Sequence, residues 1–266
     1  MTKVPQHPSR PSSTADANDR TRTLSREEIS HHGQLLADLG ICQIENFLLP
    51  QTLAECVELL TTTKGEAYRK ETRSTIYLTP PDEESAPDHP LRATVYNRVG
   101  TLAADQLPSR FPLSSLYRSK RFVDLISAIA GTDLHFLADK LGSVNALIFN
   151  SGDELGWHYD EPNYSVTLLL QQSESGGEFE YIPLSLLPNK YDYARVGEYL
   201  SMHNSYSNVA RVSPGTLVII RGNKLLHRVT QVTGETPRLI GILSFSERHD
   251  TVLTDYDRQL FYGRSL

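Results

Sequence analysis

The chain is poor in sulfur. Its 266 residues include two methionines and two cysteines, Cys42 and Cys56. Two cysteines cannot build a disulfide framework or a cysteine-rich metal site, so a reducing, cytoplasmic compartment is the simplest reading. No apolar run approaches the ~18 residues that a membrane helix needs, and the polar N-terminus lacks the apolar centre of a secretory signal. Surplus positive charge is also missing. With 26 basic and 32 acidic residues the formal charge is −6, which argues against nucleic acid or an anionic membrane as the main partner. The glycine patterns that cradle phosphates are absent, and so is the G-x-S-x-G of serine hydrolases. Neither cysteine has a histidine near it to make a thiol nucleophile.

What is present divides at about residue 140. Residues 1–24 combine Pro, Ser, Thr and charge with almost nothing to bury, and predict a disordered arm; residues 25–266 are expected to form one domain. Ser25 and Glu28 have capping-box spacing ahead of a periodic helix that Gly40 closes. ICQIENFL suggests a strand, Pro50 opens a second helix, STIYLTP is a further strand candidate, and SKRFVDLISAIA a third helix. Residues 80–90 form an acidic, Pro-rich loop. Beyond residue 140, eight short β-rich segments alternate with turn signals: VNALIFN, ELGWHYD, YSVTLLLQ, GEFEYIP, YSNVARV, TLVII, LLHRVT and PRLIGILSF. Eight is the number used by a double-sheet jelly roll or a small closed barrel. The fold class expected is α+β, mainly β, with helical N-terminal support on an antiparallel core. The 184–205 segment interrupts the series as a helix-bearing insert, either a specificity lid or a packing element. Gly176-Gly177 suggests a hairpin connection.

Two of the nine histidines stand out. His158 and Asp160 lie two apart at a strand end, on one face, where an imidazole and a carboxylate can share an ion. His227 sits in a later strand candidate. Two imidazoles and one carboxylate on one face of an ion leave three positions open, the arrangement suited to non-heme Fe(II) oxygen chemistry. Taken alone, H-x-D is a weak signal whose ordinary reading is a polar strand facing water. Arg238, eleven residues after His227, opens the most apolar strand. An arginine inside a narrow barrel is costly unless a buried anion meets it, and the far carboxylate of a dicarboxylate cosubstrate would do so.

His158-x-Asp160, His227 and Arg238 within eight short strands resemble the Fe(II)/2-oxoglutarate-dependent oxygenases. That resemblance covers roughly residues 40–250 and implies a double-stranded β-helix (jelly-roll, cupin-like) core. Residues 152–183, 214–248 and 258–264 resemble more narrowly the free-amino-acid halogenases of the BesD/HalD type and their hydroxylase relatives. The resemblance implies that His158, Asp160 and His227 hold Fe(II), that 2-oxoglutarate chelates it while Arg238 clamps the far carboxylate, and that O2 takes the remaining site. Halogenases of this type carry Gly or Ala where this chain has Asp160, leaving room for chloride. Hydroxylation is therefore expected here, on a small polar amino acid or an amino-acid-like intermediate. Thr230 and Ser244 could add hydroxyls at the cosubstrate. Asn145 is grouped with them, although turn and ladder-edge roles are ordinary for Asn. Trp157, Glu161, Asn163 and Tyr262 are candidates for the substrate side; Arg73, Tyr77 and Arg92 are candidates for a lid. The expected partner is a small molecule, and a homodimer is left open. Two rival readings keep the β-core: a Zn or Mn cupin-like enzyme, and a jelly-roll binding module without catalysis. A hydrolase needs no buried clamp for a dicarboxylate, so Arg238 disfavours the first.

Overall fold

A computed structural model of the chain describes residues 20–201 and 206–265. Most of the expected arm lies outside them. Its last residues, however, are joined to the body: Thr21 bridges Leu48, the Arg22 N–H donates to the Phe47 carbonyl at 2.9 Å, and Leu24 is buried.

Helix α1 (Arg26–Leu39) starts at the expected capping box. The Glu28 N–H donates to Ser25 Oγ, and the Glu28 carboxylate accepts from the Ser25 N–H. It stops at Gly40, whose φ of 81° is the left-handed conformation that spares a Cβ clash. Strand β1 (Ile41–Ile44) follows, then α2 (Pro50–Thr63) with proline in its first turn. Strands β2 (Tyr68–Thr75) and β3 (Thr94–Leu102) form an antiparallel pair, so STIYLTP is strand only at its start and turns at Leu78, φ 54°. Helices α3 (Pro112–Tyr117) and α4 (Lys120–Ala130) and the short β4 (His135–Phe136) complete the N-terminal part.

All eight expected core strands form: β5 (Val144–Phe149), β6 (Glu154–His158), β7 (Tyr164–Gln171), β9 (Phe179–Tyr181), β10 (Asn208–Ala210), β11 (Leu217–Ile220), β12 (His227–Val229) and β14 (Arg238–Ser246). They join one antiparallel sheet in the order β1-β11-β7-β14-β5-β3-β6-β12-β9-β10. Strand β3 was not foreseen. Its C-terminal end pairs with β5 and its middle with β6, so it links the two halves of the sheet. Gly176-Gly177 is not a hairpin between neighbours. It runs through β8 (Ser175–Gly176), which pairs with β13 (Val232–Thr233) in a separate ribbon.

Alternation along the strands builds two layers. On β14, Leu239, Leu243 and Phe245 face α1–α4, and Val166 and Leu168 of β7 do the same. The opposite residues, Arg238, Ile240, Ile242 and Ser244 on β14 with Ser165, Thr167 and Leu169 on β7, line an internal cavity. A strand buried on both faces must read as nearly continuous apolar sequence, which is why PRLIGILSF does. The result is the mainly-β jelly-roll core with helical support.

Within the insert, α5 (Tyr193–Ser201) buries Val196 against Ile76, Tyr159, Ile182 and Leu226, outside the cavity. Among the described residues the insert packs rather than covers the cavity. A final helix not read from the sequence, α6 (Asp255–Tyr262), begins at the Thr254–Asp257 capping box. Cys42 and Cys56 are buried and unpaired, and burial pushes both thiols up to about 12. Among the described residues no helix is long and apolar enough to cross a membrane.

Candidate metal and cosubstrate site

The 68 residues between the two histidines vanish in the fold, because β12 lies antiparallel to β6 with His227 directly opposite His158. Their ring centroids are 4.2 Å apart. Asp160 lies two residues beyond the end of β6, on the same side as His158, and is held there by its N–H donating to the Gly222 carbonyl at 3.0 Å. Its Oδ1 lies 3.4 Å from His158 Nε2 and 3.5 Å from His227 Nε2. One donor atom from each residue falls within a 4.8 Å group. Adjacent ligands on one ion, with bonds of about 2.0–2.2 Å, stand at nearly this spacing.

The surroundings fix the orientation of each donor. His158 Nδ1 is 2.8 Å from the Gly156 carbonyl and His227 Nδ1 is 2.9 Å from the Leu225 carbonyl. Each Nδ1–H therefore donates to backbone, leaving the Nε2 lone pair for an ion. Ser165 Oγ donates to Asp160 Oδ2 at 2.5 Å, and Phe179 stacks on His227 at 5.2 Å. Burial opposes the Asp160 charge, yet the His227 and His158 nitrogens outweigh it and hold the carboxyl well below its ordinary range. Burial keeps the His158 imidazole below its ordinary value. Burial acts the same way on His227, but the Asp160 carboxylate outweighs it and raises that imidazole above its ordinary value until an ion displaces the proton. An ionised carboxylate beside a neutral imidazole is the form a divalent cation needs.

The triad opens on a cavity walled by Leu147, Leu169, Phe179, Val218 and Ile240. Arg238 enters it from the start of β14. The residue is 5% exposed, its Nη1 has no hydrogen-bond partner, and burial pulls its guanidinium down to about 10, so it stays charged at neutral pH. Room for its stem comes from Gly177, φ 70°, where a Cβ would lie 2.7 Å from Arg238 Cδ. A buried guanidinium with an open donor fits a dicarboxylate anion. The donor set and this orphaned donor together fit Fe(II) with 2-oxoglutarate. Ser244 and Asn145 also line the cavity, the latter donating from Nδ2 to the Gly142 carbonyl at 3.4 Å.

Several expected site residues lie elsewhere. Thr230 Oγ1 donates to the Glu178 carboxylate and accepts from the Glu178 N–H, both at 2.9 Å, outside the cavity. Trp157 alternates to the opposite face from His158, under the Arg228 guanidinium at 4.9 Å. Asn163 Oδ1 accepts from Ser246 Oγ and the Glu247 N–H, which ties the β7 approach to the end of β14. Of the four substrate-side candidates, Glu161 and Tyr262 reach the cavity. The lid candidates do not: Tyr77 donates its hydroxyl to the Lys190 carbonyl, and Arg92 donates to the Glu83 and Ser85 carbonyls. The reading from sequence missed Ser165, Phe179, and the α6 residues Asp257 and Phe261. The Thr254-x-x-Asp257 spacing was the signal that could have revealed α6.

Comparison with known proteins agrees with this geometry. The profile of the family described as Halogenase D (HalD) matches residues 99–257. No curated protein sequence matches the chain. Among solved structures the chain is similar to the non-heme α-ketoglutarate-dependent epimerase SnoN from nogalamycin biosynthesis, with TM-score 0.61 and 14% identity, covering 84% of each chain. It is also similar to HygX from Streptomyces hygroscopicus, solved with nickel and 2-oxoglutarate, with TM-score 0.55, 13% identity, and 84% and 87% covered. A prolyl-4-hydroxylase from Pseudomonas putida aligns with TM-score 0.51 and 13% identity, over 83% of this chain and 99% of its own. At such identities these likenesses speak for the fold, and the profile match over more than half the chain speaks for the family. The chain belongs to the Halogenase D family, and its fold is that of solved Fe(II)/2-oxoglutarate-dependent oxygenases.

Proposed function

We propose that this chain is a hydroxylase: an Fe(II)- and 2-oxoglutarate-dependent dioxygenase that oxidises an unactivated C–H bond of a small polar substrate. The substrate class favoured is a free amino acid or amino-acid-like compound, with release of succinate and CO2. One observation carries the choice of hydroxylation over halogenation within this family. Asp160 presents its Oδ1 beside both Nε2 atoms, so a protein carboxylate occupies the place a halide would need.

His158, Asp160 and His227 would hold the iron through one face, and Arg238 would take the far carboxylate of 2-oxoglutarate. When bound, iron with 2-oxoglutarate and O2 supplies the oxidant that removes a hydrogen atom from carbon and returns a hydroxyl. The protein positions and shields. The Gly156 and Leu225 carbonyls keep both imidazoles in the donor tautomer, and Ser165 steadies the Asp160 carboxylate. Phe179, Val218 and Ile240 exclude water from the cavity.

Purified protein incubated with Fe(II), 2-oxoglutarate, O2, chloride and a panel of amino acids should release succinate. The product should gain one oxygen atom, and a chlorinated main product would overturn the assignment. His227→Ala should abolish metal-dependent succinate release.

A further inference from the structure

We propose that Asp257 is the seat for a cationic group of the substrate, an ammonium held against the cavity wall by the C-terminal helix. This rests on the oxygenase reading above and adds to it the charge that the substrate carries.

Asp257 occupies the third position of α6. Its Oδ2 accepts from Thr254 Oγ1 at 2.6 Å and from the Thr254 N–H at 3.3 Å, and the Asp257 N–H donates to Thr254 Oγ1. A capping box asks for that one oxygen. The second oxygen is not used: the residue is 2% exposed, it lines the cavity, and its Oδ1 has no hydrogen-bond partner. A buried carboxylate oxygen without a donor is unfavourable unless something fills its place. Glu161 lines the same cavity, and among the described residues neither carboxylate forms an ion pair. Burial above all, then the charges of Glu161 and Asp160, pushes the Asp257 carboxyl up to about 6.

The cavity thus holds two unsatisfied charged side chains of opposite sign. The Arg238 donor suits the anionic cosubstrate, whereas the Asp257 acceptor calls for a donor bearing positive charge. An ammonium satisfies Oδ1 and relieves the local negative field, with Phe261 and Tyr262 of the same helix beside it to cover carbon.

The test is calorimetric binding to the full chain loaded with Mn(II) in place of iron, so that no turnover intervenes. 2-Oxoglutarate is titrated first, then the proteinogenic amino acids, then isosteres of each binder with its ammonium groups replaced by hydroxyl. An ammonium compound should bind about tenfold or more tightly than its hydroxyl isostere, and Asp257→Asn, which keeps the cap acceptor, should erase that preference. Binding of 2-oxoglutarate should stay within about twofold in that variant. Thr254→Ala, which removes the cap oxygen and leaves the carboxylate, should lower the melting temperature and keep the preference. The inference is overturned if 2-oxoglutarate binds but no ammonium compound beats its isostere. Equal preference in Asp257→Asn, or its loss in Thr254→Ala, overturns it too. Failure of the unmodified protein to bind 2-oxoglutarate is a separate result: it removes the oxygenase reading, and this inference with it.

Discussion

A guanidinium buried without a full set of partners destabilises the protein that carries it, and Arg238 is such a group. Replacement by an apolar side chain of similar length removes the unpaired charge, so Arg238→Met should leave the ligand-free protein at least as stable as the parent. The same change should weaken 2-oxoglutarate binding by ~2–5 kcal/mol, the range for truncating one partner of a buried charge pair. Calorimetry with Mn(II) present reads the second effect and thermal melting the first; unchanged affinity would remove Arg238 from the site. Asp257 carries a pH signature. Its carboxyl moves from an ordinary 3.8 to about 6 in the fold, so between these values the unfolded chain releases its proton before the folded chain does. Stability from this group is therefore full below about pH 4 and is lost as pH rises through 6. Above pH 6 the ionised group costs the ligand-free protein roughly 3 kcal/mol. Asp257→Asn should accordingly melt higher than the parent at pH 7, with the gain vanishing near pH 4.

Elements matter here through the side chains that they bring together. The connection after β7 holds Gly177 at positive φ against the Arg238 stem and Val232, with a Cβ 2.7 Å and 2.9 Å from their nearest atoms. Gly177→Ala combines backbone strain of ~1–2 kcal/mol with displacement of the arginine. It should lower the melting temperature and weaken 2-oxoglutarate, while Mn(II) affinity stays unchanged. The turn before β6 is fastened by Asp153, fully buried between Arg69 of β2 and Arg98 of β3, and accepting from the Asn150 N–H at 2.7 Å. Removal of that carboxylate leaves charges without their partner where β6 meets the linking strand. Asp153→Ala should cost ~3–5 kcal/mol in denaturant unfolding. A cost below about 1 kcal/mol would mean that this network is only a solvated surface cluster.

At the scale of the whole molecule, the site is an interior surface of a curled sheet, so ligands that fill it hold strands from both halves together. His158 on β6 and His227 on β12 come from one half, and Arg238 on β14 from the other. Mn(II) and 2-oxoglutarate bound together at a hundredfold excess over their dissociation constants should each add ~2.7 kcal/mol. The melting temperature should rise by roughly 5–10 °C per ligand, and a chelator should reverse the whole shift. No shift with both ligands present would favour a jelly-roll binding module without a metal.

Sequence by itself determined the eight core strands, the capped first helix, and the residue types of the metal and cosubstrate chemistry. These are local or pattern-borne features: alternation, cap spacing, and an arginine out of place in an apolar strand. It marked residues 258–264 only through a resemblance, without a helix, and passed over β3, because Asn97, Arg98 and Gly100 break its alternation. Those residues serve two different neighbours, which no window along the chain can reveal. Tertiary structure alone decided which hydroxyls and amides face the cavity. Thr230 and Asn163 look suitable in sequence and are engaged elsewhere, while Asp257, passed over in sequence, lines the cavity. The physical reason is that a side chain's face depends on strand register and helix docking, set by which distant segments bury each other's apolar surface.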